Sequence, residues 1–282
     1  MSRRPGGIPY AKMSGLGNDF IVVDDRGGVL SGRDVALLAR KLCARGQSIG
    51  ADQLMIIAPP TAGGDFSMRT INPDGTEVRM CGNASRCVAR YAFEHGAAGA
   101  AMTIDTLGGP VRAVVEGAWA RVELMLTAPP RLGLELEAAG RRLSVDWFEI
   151  SGAPHAVVRL EGAASAPGAL VLELGSAVRR HAAFPVGTNV MFIDPRGPHE
   201  IAQRSFERGI EGETLACGTG ATASSLSTAL RGGAESPVRV TMPGGSVEIA
   251  FSRSGDSFSG IFLGGGARFV SEGMIDPEGW DW

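Results

Sequence analysis

Short apolar runs, each bounded by glycine, proline or polar residues, recur along the whole chain. Runs of this length that are rich in β-branched residues are typical of strands. They are residues 21–23, 54–57, 102–104 and 122–126 in the first half and 157–158, 190–193, 238–240 and 247–249 in the second. One segment differs, because residues 33–45 place Val35, Leu38 and Leu42 at helical spacing. This pattern predicts a packed amphipathic helix between the first two strands.

Two proline-containing segments interrupt this pattern. Residues 127–130, Thr-Ala-Pro-Pro, predict a break, and we place a domain boundary there. The predicted domains are 1–126 and 127–269, and the last segment, 270–282, is expected to pack back on the first domain. The second segment, Met242-Pro243-Gly244-Gly245, separates two apolar runs and predicts a hairpin turn.

A pattern of glutamate, cysteine and glycine occurs twice, once in each half of the chain. A strand-like run leads to a glycine-containing turn and a glutamate, and four residues later a cysteine is followed by glycine and a small polar residue. Each cysteine precedes a run that suits a helix and ends at a glycine, Gly96 or Gly232, as helices often do. The two copies are Glu77 with Cys81 and Glu213 with Cys217. The repetition predicts two halves of similar plan, related by a pseudo-two-fold.

The composition changes this picture mainly by exclusion. The 282 residues are 44% hydrophobic and carry a formal net charge of −3, so a sizeable core is possible but a basic surface for nucleic acid is not expected. No apolar run approaches the roughly 20 residues of a membrane helix. No apolar segment follows the N-terminal arginines, as it would in a secretory signal. We therefore expect a cytoplasmic protein with neither nucleic-acid nor membrane partners.

The cysteines and lysines narrow the chemistry further. None of the four cysteines forms a C-x-x-C pair and the four histidines are dispersed, so no metal site is expected. In the cytoplasm the cysteines should be reduced. The only lysines are Lys12 and Lys41, and neither is near an evident phosphate-binding loop, which gives pyridoxal phosphate chemistry little support. We expect no cofactor.

Cysteines at the N-termini of helices would have a chemical use. The unpaired N–H groups of a first helical turn carry partial positive charge, which favours a thiolate and can hold a carboxylate. Small residues after each cysteine let the backbone approach a ligand closely. Two such helix ends facing one carboxylate would place a sulfur on either side of it. One cysteine would then remove an α-proton while the other delivers a proton to the opposite face, which inverts the α-carbon.

These motifs point to a family, because the sequence resembles diaminopimelate epimerase from Lys12 to about Ile275. The matching motifs are Lys12-Met-Ser-Gly-Leu-Gly-Asn18-Asp19-Phe20, Gly50-Ala-Asp52-Gln53, Asn72-Pro-Asp74-Gly-Thr-Glu77-Val-Arg-Met-Cys81-Gly82-Asn83-Ala84 and Glu207-Arg208-Gly-Ile-Glu-Gly-Glu213-Thr-Leu-Ala-Cys217-Gly218-Thr219-Gly220. The last of these motifs is specific to the family.

The resemblance implies an α+β fold of two pseudo-symmetric domains, each a mostly antiparallel sheet or barrel wrapped around a central helix, with the active site in the cleft between them. It implies a homodimeric isomerase that interconverts L,L- and meso-diaminopimelate in the biosynthesis of lysine and peptidoglycan precursors, without a cofactor. Cys81 and Cys217 are then the acid–base pair. The substrate is expected to contact the side chains of Asn18, Gln53, Asn72, Asn189, Glu207 and Arg208 and the backbone at Gly82, Asn83, Gly218 and Thr219.

The chain departs from the family pattern in one segment. The family usually has Gly-Asn-Pro-His where this chain has Gly152-Ala153-Pro154-His155. The missing asparagine normally helps to hold the distal end of the substrate, so its loss weakens that binding by about 1–2 kcal/mol or marks another substrate. Ala153 therefore leaves open a racemase of the same fold for histidine or another amino acid. A second alternative is a non-catalytic relative that binds an amino acid, although such a relative would be expected to lack one of the cysteines, and both are present. We expect His155 to be structural, since the two cysteines already fill the role of base.

Overall fold

The computed structural model describes residues 7–276, which form two compact units. The first unit comprises the residues up to Val122 together with those from Gly265 onwards, and the second is Glu123–Gly264. Eighteen strands and four α-helices make up the regular structure of the described residues, apart from one short 3₁₀ turn. The predicted α+β class is confirmed.

Each unit consists mostly of strands, with two α-helices inserted among them. Those of the first unit are β1 (Ile8–Gly15), β2 (Asn18–Asp24), α1 (Val35–Leu42), β3 (Gln53–Ala58), β4 (Phe66–Ile71), β5 (Glu77–Val78), α2 (Gly82–Glu94), β6 (Ala101–Thr106), β7 (Gly109–Glu116) and β8 (Trp119–Leu124). Those of the second are β9 (Leu126–Ala138), β10 (Arg141–Ile150), β11 (Ala153–Arg159), α3 (Gly168–Arg179), β12 (Asn189–Gly197), β13 (Glu200–Glu207), β14 (Gly212–Thr214), α4 (Gly218–Leu230), β15 (Val238–Met242), β16 (Gly245–Ser254) and β17 (Ser257–Gly266). The last strand, β18 (Arg268–Ile275), belongs to the first unit.

The strands of the two units pair by the same scheme. In the first unit β1 is antiparallel to β2 and β18, β2 is parallel to β3, β3 is antiparallel to β4, and β4 is parallel to β6, which continues through β7 into β8. In the second unit β10 is antiparallel to β11 and β9, β11 is parallel to β12, β12 is antiparallel to β13, and β13 is parallel to β15, which continues through β16 into β17. The prediction of two halves of similar, mostly antiparallel plan is confirmed.

Each unit has one helix that is buried on nearly every side. Ten of the 13 residues of α2 and 11 of the 13 residues of α4 are buried. A helix in such a position is expected to be apolar all round, but α4 is rich in serine and threonine. Its hydroxyl groups donate instead to carbonyl groups one turn earlier, as Ser224 does to Gly220 at 2.9 Å and Thr228 to Ser224 at 2.8 Å. These local bonds satisfy buried hydroxyls within the helix. Ser224 and Ser227 also reach acceptors outside it, Gln203 Oε1 at 2.8 Å and Asp146 Oδ2 at 2.7 Å.

The other two helices are amphipathic and cover the sheets. In the first unit α1 buries Leu38 and Leu42 in a cluster with Ile21, Leu54 and Ile56 of the neighbouring strands. In the second unit α3 contributes buried residues to a separate cluster, which contains Val171, Leu174, Val178, Phe192 and Phe206. Each unit therefore has a core of its own between a sheet and its outer helix. Within residues 7–276, no helix has the length and apolarity needed to span a membrane.

Three local predictions need correction. The apolar run 122–126 is not one strand, because β8 ends at Leu124 and β9 begins at Leu126, with the half-exposed Met125 between them. Residues 127–130 are not a break but part of β9. The register of β9 against β10 shifts around the two prolines, which have no N–H group to donate to a neighbouring strand.

The third correction concerns helix ends. The predicted helix 33–45 is shorter, because Asp34 caps α1 by accepting the Leu37 N–H group at 3.0 Å and the helix ends at Leu42. The helical runs after the two cysteines start at Gly82 and Gly218, three residues earlier than their sequence patterns at 85 and 221 indicated. Of the predicted C-terminal segment, residues 277–282 lie outside the described part of the chain.

Candidate active site

Both cysteines stand directly before a buried helix. Cys81 is the N-cap residue of α2 and Cys217 that of α4, and both have extended backbone angles, with φ of −134° and −131°. Their carbonyl groups accept the first helical hydrogen bonds, from Ser85 at 2.8 Å and Ala221 at 2.9 Å. The N–H groups of the next residues therefore have no acceptor within the helix. Each sulfur thus lies at the positive end of a helix dipole.

The polar residues of the first unit lie at one edge of its sheet. Asn18 and Gln53 are the first residues of the parallel strands β2 and β3, and Asn72 follows the antiparallel strand β4. Gln53 Nε2 donates to Asn72 Oδ1 at 2.9 Å, and Asn83 Nδ2 in the first turn of α2 donates to Asn18 Oδ1 at 2.7 Å. The structure therefore links two pairs of residues that the sequence placed in the site.

A carboxylate fixes the orientation of these amides. Asn18 Nδ2 donates to Asp52 Oδ2 at 3.0 Å, and an ionised carboxylate can only accept, so the oxygen of Asn18 must turn towards Asn83. Arg45 binds the same Asp52 carboxylate at 2.8 Å. The buried oxygen Oδ1 of Asn83 is left without a hydrogen-bond partner among the described residues.

The polar residues of the second unit lie at the corresponding edge. Asn189 begins β12 and pairs with His155 of the parallel strand β11, while Glu207 ends β13 and Arg208 follows it. Asn189 Oδ1 accepts the backbone N–H of Arg208 at 2.8 Å. The Arg208 side chain donates to the carbonyl of Val186 at 3.1 Å.

The Cys217 thiol is buried beside a carboxylate. Burial raises the pKa of Cys217 well above its usual value, and the negative charge of Glu207 raises that pKa further. The Glu207 side chain hydrogen-bonds to Cys217 and accepts from Thr214 Oγ1 at 2.5 Å, and burial raises the pKa of Glu207 itself. Thr219 Oγ1 lies 3.8 Å from the sulfur. Cys217 is therefore protonated at neutral pH. The sequence predicted Glu207 as a substrate contact but gave no sign of this contact with the cysteine.

The segment that departs from the family pattern forms the start of β11. Ala153 is its first residue and pairs with Ile150 across a tight turn. His155 is fully buried, and burial, followed by the charge of Arg208, lowers its pKa to about 3. Its Nδ1 lies 3.5 Å from Asn189 Nδ2, and its Nε2 has no hydrogen-bond partner in the described part of the chain. The imidazole is therefore neutral at physiological pH.

No group of three or more His, Cys, Asp and Glu side chains among residues 7–276 is arranged to hold a metal ion. The family model described as diaminopimelate epimerase matches residues 10–132 and 149–270, which together carry both cysteine motifs. The chain belongs to the diaminopimelate epimerase family. Its similarity to named relatives extends over nearly the full length of each.

The diaminopimelate epimerase of Aquifex aeolicus is 38% identical, over 96% of this chain and 99% of the relative. That of Methanothrix thermoacetophila is 35% identical, over 96% of this chain and 97% of the relative. Solved structures share the fold at lower identity. A Bacillus anthracis phenazine biosynthesis protein of the PhzF family has a TM-score of 0.69 at 15% identity, covering 96% of this chain and 98% of that one. A probable proline racemase from Agrobacterium radiobacter has a TM-score of 0.67 at 18% identity, covering 97% and 94%.

Proposed function

We propose that this chain is a diaminopimelate epimerase, a cofactor-independent isomerase that interconverts L,L- and meso-diaminopimelate in the biosynthesis of lysine and peptidoglycan precursors. The observation that carries the proposal is the repeated placement of a cysteine as the N-cap of a buried helix, once in each unit. Membership of the family supports the substrate.

The two cysteines act as a base and an acid on opposite faces of one α-carbon. As the thiolate of Cys81 takes the α-proton, the C–H electron pair passes into the carboxylate, and the Cys217 thiol then gives its proton to the other face. Cys217 is suited to the role of acid because burial and Glu207 keep it protonated. When the reaction runs in reverse, the cysteines exchange roles. General acid–base catalysis of this kind contributes about 10²–10⁴-fold.

The carboxylate gains enolate-like charge in the transition state and needs fixed donors. We propose that the backbone N–H groups of Gly82, Asn83, Gly218 and Thr219 supply them, at the positive ends of α2 and α4. The side chains proposed to hold the rest of the substrate are Asn18, Gln53, Asn72, Asn189, Glu207 and Arg208. Arg208 suits the distal carboxylate, since a guanidinium can bind both of its oxygens.

The activity is tested by incubating the purified protein with L,L-diaminopimelate, without added cofactor, and separating the stereoisomers. Formation of the meso isomer is expected. L-histidine and other amino acids serve as comparison substrates, because Ala153 stands at the position that usually holds the distal end of the substrate. Inversion of another amino acid in place of diaminopimelate would contradict the proposed substrate and keep the two-cysteine reaction.

The roles of the cysteines are tested by substitution. Cys81→Ala and Cys217→Ala should each lower turnover by at least about 10³-fold, because each removes the only group that serves one face. Cys43→Ala is the matched control, since Cys43 is a buried thiol in the core of the first unit, and it should keep near-normal turnover. Substantial turnover in either of the first two variants would contradict the mechanism.

We further propose a cytoplasmic homodimer whose only partner is its small-molecule amino-acid substrate, with no nucleic-acid or membrane partner. The resemblance to the family supports the dimer, and the net charge of −3 agrees with the lack of a nucleic-acid partner. Light scattering after size-exclusion chromatography tests the assembly. A single monomeric species at micromolar concentration would contradict it.

A further inference from the structure

An arginine is completely buried in the central helix of the first unit. Arg86 is the fifth residue after Cys81, has no exposed surface, and is the largest of the fully buried side chains. None of its three nitrogen atoms has a hydrogen-bond partner among the described residues. The Arg86 side chain fits beside Gly265 because this residue has no side chain. A Cβ atom there would lie only 3.2 Å from both Arg86 Nε and Leu16 Cδ1.

A buried charge without a partner is expensive, so such a group is normally paired with an anion. Burial lowers the pKa of Arg86 to about 10, which still leaves the guanidinium charged at neutral pH. Among the described residues, the thiolate forms of Cys87 and Cys81 would act against this lowering of the Arg86 pKa. The other charged groups on the strands packed against α2 are Lys12, Asp19, Asp24, Arg69, Arg112 and Glu116.

The two thiols differ in their capacity to become the anion. Cys87 is fully buried inside the helix, and burial raises its pKa to about 12 even with Arg86 beside it. Cys87 therefore remains a thiol. Cys81 is only half-buried and lies at the N-terminus of α2, where the helix dipole favours a thiolate. Helical side chains lean towards the N-terminus, so the guanidinium of Arg86 extends towards the end that carries Cys81.

We propose that Arg86 is a positioning residue whose buried charge holds Cys81 as a thiolate in the resting enzyme. Cys81 then starts as the base, and Cys217, which burial and Glu207 keep protonated, starts as the acid. The inference rests on the proposed function for the use of the thiolate. The protonation state of Cys81 can be measured without turnover.

The test is the pH dependence of alkylation of Cys81 by iodoacetamide. Trypsin releases residues 80–86, a peptide in which Cys81 is the only cysteine, so its modification is read directly by mass. The midpoint in the wild-type protein should lie below the ordinary thiol value of about 8.5. In Arg86→Met it should rise by about one pH unit or more, which lowers the rate near neutral pH about tenfold. Fragment spectra separate Cys81 from Cys87 in that variant.

Two variants distinguish charge from packing. Arg86→Lys keeps the cation and should restore most of the low midpoint, whereas Arg90→Met removes a cation one turn further along α2 and should leave the midpoint unchanged. A loss of packing alone would lower the melting temperature without moving the alkylation midpoint. If Arg86→Met does not fold, Arg86→Gln takes its place. The alkylation midpoint of Cys81 in the wild-type protein tests independently whether this cysteine is a thiolate at neutral pH.

A wild-type midpoint at or above the ordinary value would overturn the proposal, as would equal midpoints in the wild-type, Met and Gln proteins. These outcomes are separate from a failure of the proposed function. A low Cys81 midpoint that depends on Arg86, in a protein that inverts no amino acid, would contradict the function and keep the inference. Normal inversion of the substrate with a Cys81 midpoint that does not depend on Arg86 would contradict the inference and keep the proposed function.

Discussion

At the scale of single residues, the surroundings of Cys217 determine whether its sulfur is protonated. The thiol is buried at the N-terminus of α4, and Glu207 lies in hydrogen-bonding contact with it. Burial and a neighbouring negative charge both disfavour the thiolate, and together they exceed the opposing effect of the Gly220 N–H group and Thr219. The same cysteine without Glu207 would be a stronger acid.

Glu207→Gln tests this argument directly. The substitution removes the negative charge and keeps the shape of the side chain, so the pKa of Cys217 should fall, by about one unit. Alkylation of Cys217 by iodoacetamide should then begin at lower pH, and the tryptic peptide 209–231, in which it is the only cysteine, reports it. Glu200→Gln, at the exposed start of the same strand, is the control. An unchanged midpoint in Glu207→Gln would show that the carboxylate does not control the thiol.

Some of these residues could be chosen from the sequence and others could not. The cysteines stand before glycine-rich helical runs, so their position at helix N-termini followed from local pattern alone. Asp52, Thr214 and Arg86 carry no such signal, because their importance comes from contacts made across the fold. Asp52 reaches Asn18 from 34 positions away. Arg86 resembles any other helical arginine until its burial is known.

At the scale of elements, α3 depends on a close approach to a strand. Gly175 lies where α3 crosses β13, and a Cβ atom there would be 2.5 Å from Cγ of the buried Phe206. This helix has a weak sequence pattern, because glycines at 168 and 175 interrupt it, and it was not predicted. Gly175 therefore weakens the helical sequence pattern and also allows α3 to pack closely against β13.

Gly175→Ala should therefore destabilise the protein although alanine favours helices. The gain in helix propensity is about 1 kcal/mol, whereas overpacking against a buried ring costs about 1–3 kcal/mol. The new methyl group would meet Cβ and Cγ of Phe206, and this Cβ cannot move without moving the backbone. Chemical denaturation should show a net loss of free energy of unfolding. Gly168→Ala, in the first turn of the same helix with open space around it, should be neutral or slightly stabilising. A Gly175→Ala protein as stable as the wild type would contradict the packing.

Strand ends were harder to predict than strand existence, for a physical reason. A two-residue turn such as Pro243–Gly244 carries its own signal, and β15 and β16 do form the predicted hairpin around it. Residues 127–130 also contain proline, yet they lie in β9, which pairs with β10 along a shifted register. The local sequence indicates the conformation that the backbone prefers. Whether a strand can contain proline depends on its pairing with the neighbouring strand, which the local sequence does not indicate.

At the scale of the whole molecule, the repeat is the feature that the sequence predicted best. The equal spacing of glutamate, cysteine and helix in both halves reports a shared topology, and every strand pairing of one unit recurs in the other. One carboxylate of β10 binds the C-terminal part of the second unit's central helix and the arginine that follows it. Asp146 of β10 accepts from Ser227 at 2.7 Å and from Arg231 at 2.6 and 2.8 Å.

This ion pair predicts how stability changes in acid. Burial acts to raise the pKa of Asp146, but the bonds from Arg231 and Ser227 outweigh it, so the pKa lies below the usual 3.8. A lowered pKa stabilises the fold at pH values above the unfolded-state pKa, and this contribution is lost as the pH falls through the folded-state pKa. Asp146→Asn should lower the free energy of unfolding at neutral pH by about 2–3 kcal/mol.

Urea denaturation at a series of pH values measures the effect. The gap between the wild type and Asp146→Asn should be constant near neutral pH and shrink in strong acid. Asp256→Asn, at a carboxylate that is 94% exposed, should change stability by less than about 0.5 kcal/mol. A gap that persists undiminished in acid would show that the carboxylate charge is not what stabilises the contact.

The central claim, that different cysteines remove and return the α-proton, is tested most directly by following label at early times in deuterated water. L,L-diaminopimelate is incubated with the enzyme, and substrate and product are separated before equilibrium is reached. With two bases, the meso product should carry solvent deuterium at its inverted α-carbon, while the recovered L,L substrate stays unlabelled. Product that keeps the original hydrogen, or substrate and product that gain deuterium equally, would contradict the account.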